Sequence, residues 1–138
     1  MKTVVSACLL GRNCKYNGGN NYCPAVVRLV AGRDVIEVCP EMLAGLGTPR
    51  TPMELQNGIL MDKEGKCPDK AVRAAVDKIL AMLAVEEVEC AILKSRSPTC
   101  GVRQVYDGTF SGRLIEGKGV LAQALSDAGY QVLDSDEV

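Results

Sequence analysis

The sequence predicts an α/β fold with a mostly parallel sheet of about four strands, and three observations carry that expectation. Short β-branched runs alternate with stretches of helical periodicity along the chain. Each helical stretch lies between two strand candidates, as right-handed crossovers between parallel strands require. The 138 residues, 47% of them apolar, suit a single domain over residues 1–138 with one buried core.

The first element, KTVVSAC, is an apolar β-rich run that ends at Cys8, and a polar Gly/Asn loop follows from Gly11 to Asn21. CPAVVRLVAG is a short helix with Pro24 in its first turn and Gly32 just past its end. DVIEVC is a second strand, again ending at a cysteine, Cys39. Prolines and glycines break any periodicity in PEMLAGLGTPRTPMELQNGILMDKEGKCP, so that segment is expected to be loop. Asp69 is placed as the N-cap of the next helix, whose apolar stripe is Val72, Ala75, Val76, Ile79 and Leu83. VECAILKS is a third strand, leading to Cys100. QVYDGTFSG is a loop or hairpin with a turn at Asp107-Gly108. GVLAQALSDAG is a last helix, with the stripe Val120, Leu121, Ala124, Leu125 and Ala128 and closure at Gly129, and YQVLD is the last strand. Together these elements describe a Rossmann-like three-layer fold with no repeat, low-complexity segment or linker.

Composition narrows the function. Against 17 acidic residues stand 16 basic ones, so no basic excess advertises nucleic acid or an anionic membrane. One Phe, four Tyr and no Trp give little from which to build a base-stacking platform. There is no His, so acid–base work falls to carboxylates, Lys, Tyr or Cys. The N-terminal MKTVVSACLLGRNC has a short apolar stretch that carries Ser6 and Cys8 and reaches Arg12 without a small-residue cleavage site, which makes it a buried strand and not a signal peptide. The longest other apolar run, Ile79 to Val85, is far too short to cross a bilayer. A cytoplasmic location is expected. Seven cysteines in a reducing compartment, an odd number, point to metal or catalytic use and not to a disulfide framework.

In parallel sheets ligands bind in the crevice at the carboxyl ends of the strands. Cys8 ends the first strand, Cys39 ends the second and Cys100 lies just beyond the third, so three thiols distant in sequence open onto one sheet edge. Cys90, inside VECAIL, reads as a small buried hydrophobe, and Cys67 is a tolerated thiol in a polar loop. Cys14 and Cys23 flank a polar loop and fit either use. Soft thiolates select zinc, copper(I) or iron–sulfur clusters. A structural zinc often uses paired C-x-x-C knuckles, and none occurs here. Three ligands on a 4Fe–4S cubane would leave one iron open as a Lewis acid. Spacing alone leaves the cubane, a zinc ion and an unmetallated thiol site side by side.

The stretches SACLLGRNCKYNG, VCPEMLAGLGTPRTPMEL, LKSRSPTCG and YDGTFSG, followed by GKGVLAQAL, resemble the thiouracil desulfidase family in matching order. The resemblance covers most of the chain and fails mainly between Gly58 and Pro68. It implies a 4Fe–4S cluster held by three cysteines, with the fourth iron free for the sulfur of a thiolated pyrimidine such as thiouracil. It also implies sulfur removal without net redox change, giving uracil and sulfide. Cys8 of SACLLG, Cys39 of CPE and Cys100 of SPTCG match the ligands, and Glu41 of CPE and Ser97 of SRSPTCG match the residues at the reacting thiocarbonyl. The family's usual CRYDG reads CKYNG here, with Lys15 and Asn17 in place of an arginine and an aspartate. AGL stands where a double glycine is common, and the segment after Met61 is shortened and lacks the usual GxDVT. These departures bear on substrate identity more than on cluster binding.

With no histidine, Glu41 is the expected base, taking a proton from the attacking water and returning it to the ring; by itself it also reads as a carboxylate at a helix N-terminus after Pro40. Ser97 would bond the substrate or relay a proton, or else cap a turn before Pro98. Lys94 and Arg96 would orient an oxygen or phosphate of the ligand, or lie solvated, and Asp107 fits a turn as well as a catalytic role. Gly11, Gly18 and Gly101 suit tight turns close to the cluster. Two other functions stay open. One is a carrier module that accepts metal or sulfur without catalysis. The other is an enzyme acting on thiolated RNA, which the near-neutral charge disfavours.

Overall fold

Successive side chains of a strand point to opposite faces, and this sets the layers of the computed structural model, which describes residues Met1–Val138. In chain order the elements are β1 (Lys2–Ser6), α1 (Pro24–Val30), β2 (Asp34–Val38), α2 (Pro40–Leu43), β3 (Met53–Gln56), β4 (Ile59–Asp62), α3 (Asp69–Leu83), β5 (Val88–Leu93), β6 (Gln104–Tyr106), β7 (Leu114–Glu116), α4 (Val120–Asp127) and β8 (Val132–Asp134). The main sheet is parallel throughout, in the order β2-β1-β5-β8. Val4 of β1 faces one side, where it packs with Ala91 and Leu93 of β5, Val76 and Ile79 of α3 and Leu121 of α4. Val5 faces the other, with Ile92 and Cys90 of β5 and with Val26 and Val30 of α1. Helices thus cover both faces, as the α/β, Rossmann-like expectation requires, and Cys90 packs as the small hydrophobe its surroundings suggested. No helix is long and apolar enough to cross a membrane.

The chain steps from β1 out to β2, then returns past β1 to lay down β5 and β8. The reversal falls between β1 and β5, so the crevice at their carboxyl ends is the predicted ligand position.

Three expectations need correction. The stretch expected to be loop holds one helical turn, α2, and an antiparallel hairpin, β3 with β4. Its turn is Asn57-Gly58, both at positive φ (51° and 81°), the residue pair a two-residue hairpin favours. Strands of four residues are too short for alternation to stand out among prolines, and the Asn-Gly pair was the legible signal. Asp69 is not the N-cap; Pro68 holds that position. Asp69 instead accepts the Leu60 N–H at 2.9 Å and pairs with Arg73, which ties α3 to the hairpin. Cys8 does not end β1 but rides on a single 3-10 turn, Ala7–Leu10, just beyond it. Near Asp107 the hairpin reading holds: β6 pairs with β7, and the Asp107 carboxylate accepts the Thr109 N–H at 3.0 Å as a turn residue does.

Candidate active site

β1, β2 and β5 run in parallel, so the segments that follow them emerge on one edge. After β1 comes the turn with Cys8; after β2, Cys39 is the N-cap of α2; after β5, a tight turn delivers Ser97 and Cys100. Cys8, Cys39 and Cys100 line one cavity of about 550 Å³, together with Glu41 and Ser97. That volume falls in the range of small-molecule sites.

The Cys100 turn is fixed by its seat on α4. Val120 N–H donates to the Pro98 carbonyl at 3.1 Å and Leu121 N–H to the Thr99 carbonyl at 2.8 Å, which satisfies donors that a helix start leaves free. The contact is close enough to demand glycine on the α4 side, and the turn's own tight closure demands a second at Gly101. A Cβ on Gly119 would lie 2.4 Å from the Thr99 carbonyl carbon, and one on Gly101 would lie 2.8 Å from the Ser97 carbonyl oxygen. Gly101 therefore serves close approach and not a positive φ.

Burial raises all three thiols above the usual cysteine value, Cys100 to about 12, and the Glu41 carboxylate adds to each rise. Hydrogen bonds oppose it: the Asn21 side chain at Cys8, the Met42 backbone at Cys39, and the Ser6 and Thr99 hydroxyls at Cys100. Buried thiols beside a carboxylate hold their protons until a cationic centre replaces them. All seven cysteines are free. No three thiol or carboxylate groups gather closely enough to hold a single metal ion, so the thiols stand apart around the cavity wall. That spread suits a larger inorganic group with one thiolate per iron better than a lone zinc ion.

Glu41 is buried, 8% exposed, in the first turn of α2. Its Oε1 accepts the Thr99 hydroxyl at 2.8 Å, and its Oε2 lies 3.6 Å from the Cys39 thiol, which donates. Ser97 Oγ accepts the backbone N–H groups of Thr99 (3.2 Å) and Cys100 (3.1 Å), so it does cap its own turn. It also lies 3.1 Å from Thr99 Oγ1. A hydroxyl has one proton to give, and that of Thr99 goes to the carboxylate at 2.8 Å in preference to Cys100 Sγ at 3.6 Å, so Ser97 donates to Thr99 Oγ1. The result is a directed chain from Ser97 through Thr99 to Glu41. Sequence reasoning passed over Thr99; its signal was a hydroxyl directly before a candidate ligand.

Residues 3–137 match the family model described as 2-thiouracil desulfurase. The chain belongs to that family. A protein of Bacillus subtilis (strain 168) described as "uncharacterized protein YbbK" is 34% identical over 145 residues, covering 98% of this chain and 96% of its own length. The solved structure of the 4Fe–4S-dependent thiouracil desulfidase TudS is 32% identical, with a TM-score of 0.91 over 99% of this chain and 92% of TudS.

In this member of the 2-thiouracil desulfurase family the lining of the cavity is basic on balance, five cations against the carboxylates of Glu41 and Glu54, which the near-neutral total charge concealed. Lys15, Arg50, Lys63, Lys94 and Arg96 all line it. Arg96 is paired with Asp136 at 3.0 Å, whereas Arg50 donates to the carbonyls of Gly47 and Cys14, both at 2.9 Å. Lys94 Nζ reaches only the Ser95 hydroxyl and carbonyl, at 3.0 and 3.2 Å. Cys14 is buried and lines the same cavity; Cys23 caps α1, and Cys67 is exposed. Asp107 is not among the lining residues.

Proposed function

We propose that this protein removes the sulfur of a thiolated pyrimidine such as thiouracil by hydrolysis, releasing uracil and sulfide, with a 4Fe–4S cluster held by Cys8, Cys39 and Cys100. One observation carries the reading: three soft donors from the segments that follow three parallel strands share a cavity with a buried carboxylate in a chain of this family. The cluster would supply an iron free of protein ligands, a soft Lewis acid able to polarise a C=S bond and accept its sulfur. Glu41 takes a proton from the water that adds to the carbon, and later gives one to the ring. Thr99 holds the Glu41 carboxylate through Oε1, and the other oxygen, which faces the Cys39 thiol, would be free for that proton once Cys39 is held as a thiolate. Ser97 bonds the substrate or passes its proton along the Thr99 chain. Water oxygen replaces sulfur and no electron is gained or lost. Seven unpaired thiols suit a reducing compartment such as the cytoplasm.

The experiment is anaerobic reconstitution followed by turnover of thiouracil in isotopically labelled water. About four irons per chain, the cubane stoichiometry, should precede labelled uracil and free sulfide in equal amounts, over many turnovers and without reductant. A single burst of one sulfur per chain would replace this reading with a carrier. A second reading, a phosphate-bearing thiopyrimidine in a nucleotide or in thiolated RNA, is favoured by the five cations at the cavity. A kcat/KM for the thiolated nucleotide that exceeds that for the free base, and falls with salt, would select it.

A further inference from the structure

We propose that Phe110 is a substrate-contacting wall of this site, whose ring packs against the face of the thiolated pyrimidine, and that Glu54 is the positioning residue that holds it there. The proposal rests on the desulfidase reading for the identity of the ring.

Phe110 is the only phenylalanine in a chain without tryptophan. It lies in the connection between β6 and β7, half-buried, and lines the cavity that holds Cys8, Cys39 and Cys100. Its backbone is left-handed, φ +56°. Asn or Gly adopts that conformation far more readily, as Asn57-Gly58 does in the other hairpin. A bulky aromatic kept at such a position needs a reason, and strained residues of this kind concentrate at ligand clamps. Core packing does not supply the reason, because Phe110 belongs to neither hydrophobic cluster of the fold.

The strained loop is clamped from below. Glu54, on β3 and only 8% exposed, accepts the Gly108 N–H at 3.0 Å and the Phe110 N–H at 3.1 Å with one oxygen. Gln56 Nε2 donates to the Gly108 carbonyl at 2.7 Å. At Gly108 a Cβ would stand 2.7 Å from the Leu55 carbonyl oxygen, so the loop lies directly on the hairpin. The backbone N–H of Phe110 is thus bonded by a buried carboxylate while its side chain lines the cavity. The ligand class is a planar heteroaromatic ring, whose faces an aromatic side chain recognises by stacking.

The test uses cluster-reconstituted protein. Phe110→Ala should raise KM for thiouracil roughly tenfold to a hundredfold, the scale of a lost aromatic–base contact, while kcat changes less and Phe110→Tyr restores KM. Iron content, cluster absorbance and the thermal midpoint should stay at wild-type values. Glu54→Gln keeps an acceptor oxygen and should keep KM, whereas Glu54→Leu should raise it. Phe110→Trp places a single tryptophan in the chain, and its fluorescence should be quenched on titration with thiouracil or uracil. An unchanged KM in Phe110→Ala, or a fall in thermal midpoint with no change in KM, would overturn the proposal. If the wild type released no sulfide yet both pyrimidines quenched the tryptophan, the wall would stand and the desulfidase reading would fall.

Discussion

Glu41 combines two features that usually exclude each other, burial and the need to exchange a proton. The Thr99 hydroxyl supports one of its oxygens, and the Cys39 thiol faces the other. Glu41→Gln preserves size, so the iron content should persist while turnover falls by roughly a hundredfold or more, the scale of a general-base contribution. Thr99→Val keeps the shape of a fully buried side chain but removes the link between Ser97 and Glu41. It leaves a carboxylate oxygen unpaired, at about 1–3 kcal/mol, and should lower kcat without loss of iron. Wild-type kcat in Thr99→Val would remove Thr99 from the proton path. The thiols give a pH signature in the cluster-free protein. Burial raises the folded pKa of Cys100 from the ordinary 9.0 to about 12, so its stabilising contribution is complete below pH 9.0 and is lost as pH rises towards 12. Denaturant midpoints of the cluster-free protein should therefore fall above pH 9.0, with a shallower fall in Cys100→Ser. The residues expected from the sequence do meet in one cavity, because Cys8, Cys39 and Cys100 each follow a parallel strand. Thr99, Arg50 and Phe110 were not legible, since each takes its place from long-range contacts: Glu41 for Thr99, the Cys14 carbonyl for Arg50, and Glu54 for Phe110.

Among the elements, the turn after β5 depends on α4 more than on β5. Its residues Pro98 and Thr99 present carbonyls to the first N–H groups of α4, and Gly119 lets the two backbones touch. Gly119→Ala would place a methyl group 2.4 Å from the Thr99 carbonyl carbon, a backbone atom with no flexible end to yield. The turn must shift. We expect a loss of about 1–3 kcal/mol in denaturant titration, as for an overpacked core, together with reduced iron per chain because Cys100 moves with the turn. Full iron loading in a stable Gly119→Ala would show that the seat on α4 does not position the ligand. Strands of the main sheet were readable because they are apolar and separated by helices. The β3–β4 hairpin was not, because prolines interrupt the stretch before it and each strand has only four residues. That hairpin carries Glu54 and supports the Phe110 loop, so the element missed from the sequence is the one beneath the substrate wall.

For the whole molecule, the strand order β2-β1-β5-β8 brings three chain segments to one crevice, and of the three thiols there only Cys100 is also a member of the core that holds the sheet. The larger cluster, around Val4, Leu83 and Leu125, and the smaller one, around Val5 and Ile92, contain only Cys100 and Cys90 as buried thiols. Stability and cofactor binding are therefore separable at the partly buried Cys8 and Cys39, though not at Cys100. A group bound by the folded state alone adds stability, so reconstituted protein should melt above the cluster-free form. Cys8 is only partly buried, and Cys8→Ser should abolish cluster binding while leaving the melting of the cluster-free protein near wild type. Cys90, 6% exposed between sheet and α1, should behave in the opposite way. Cys90→Ser buries a hydroxyl without a designed partner, costs about 1–3 kcal/mol in either form, and leaves iron content and sulfide release per folded chain unchanged. Thermal melts on both variants with and without reconstitution, and iron assays after it, separate the two roles. Loss of iron in Cys90→Ser, or full iron in Cys8→Ser, would mean that the crevice at the carboxyl ends of β1, β2 and β5 is not where the cofactor sits.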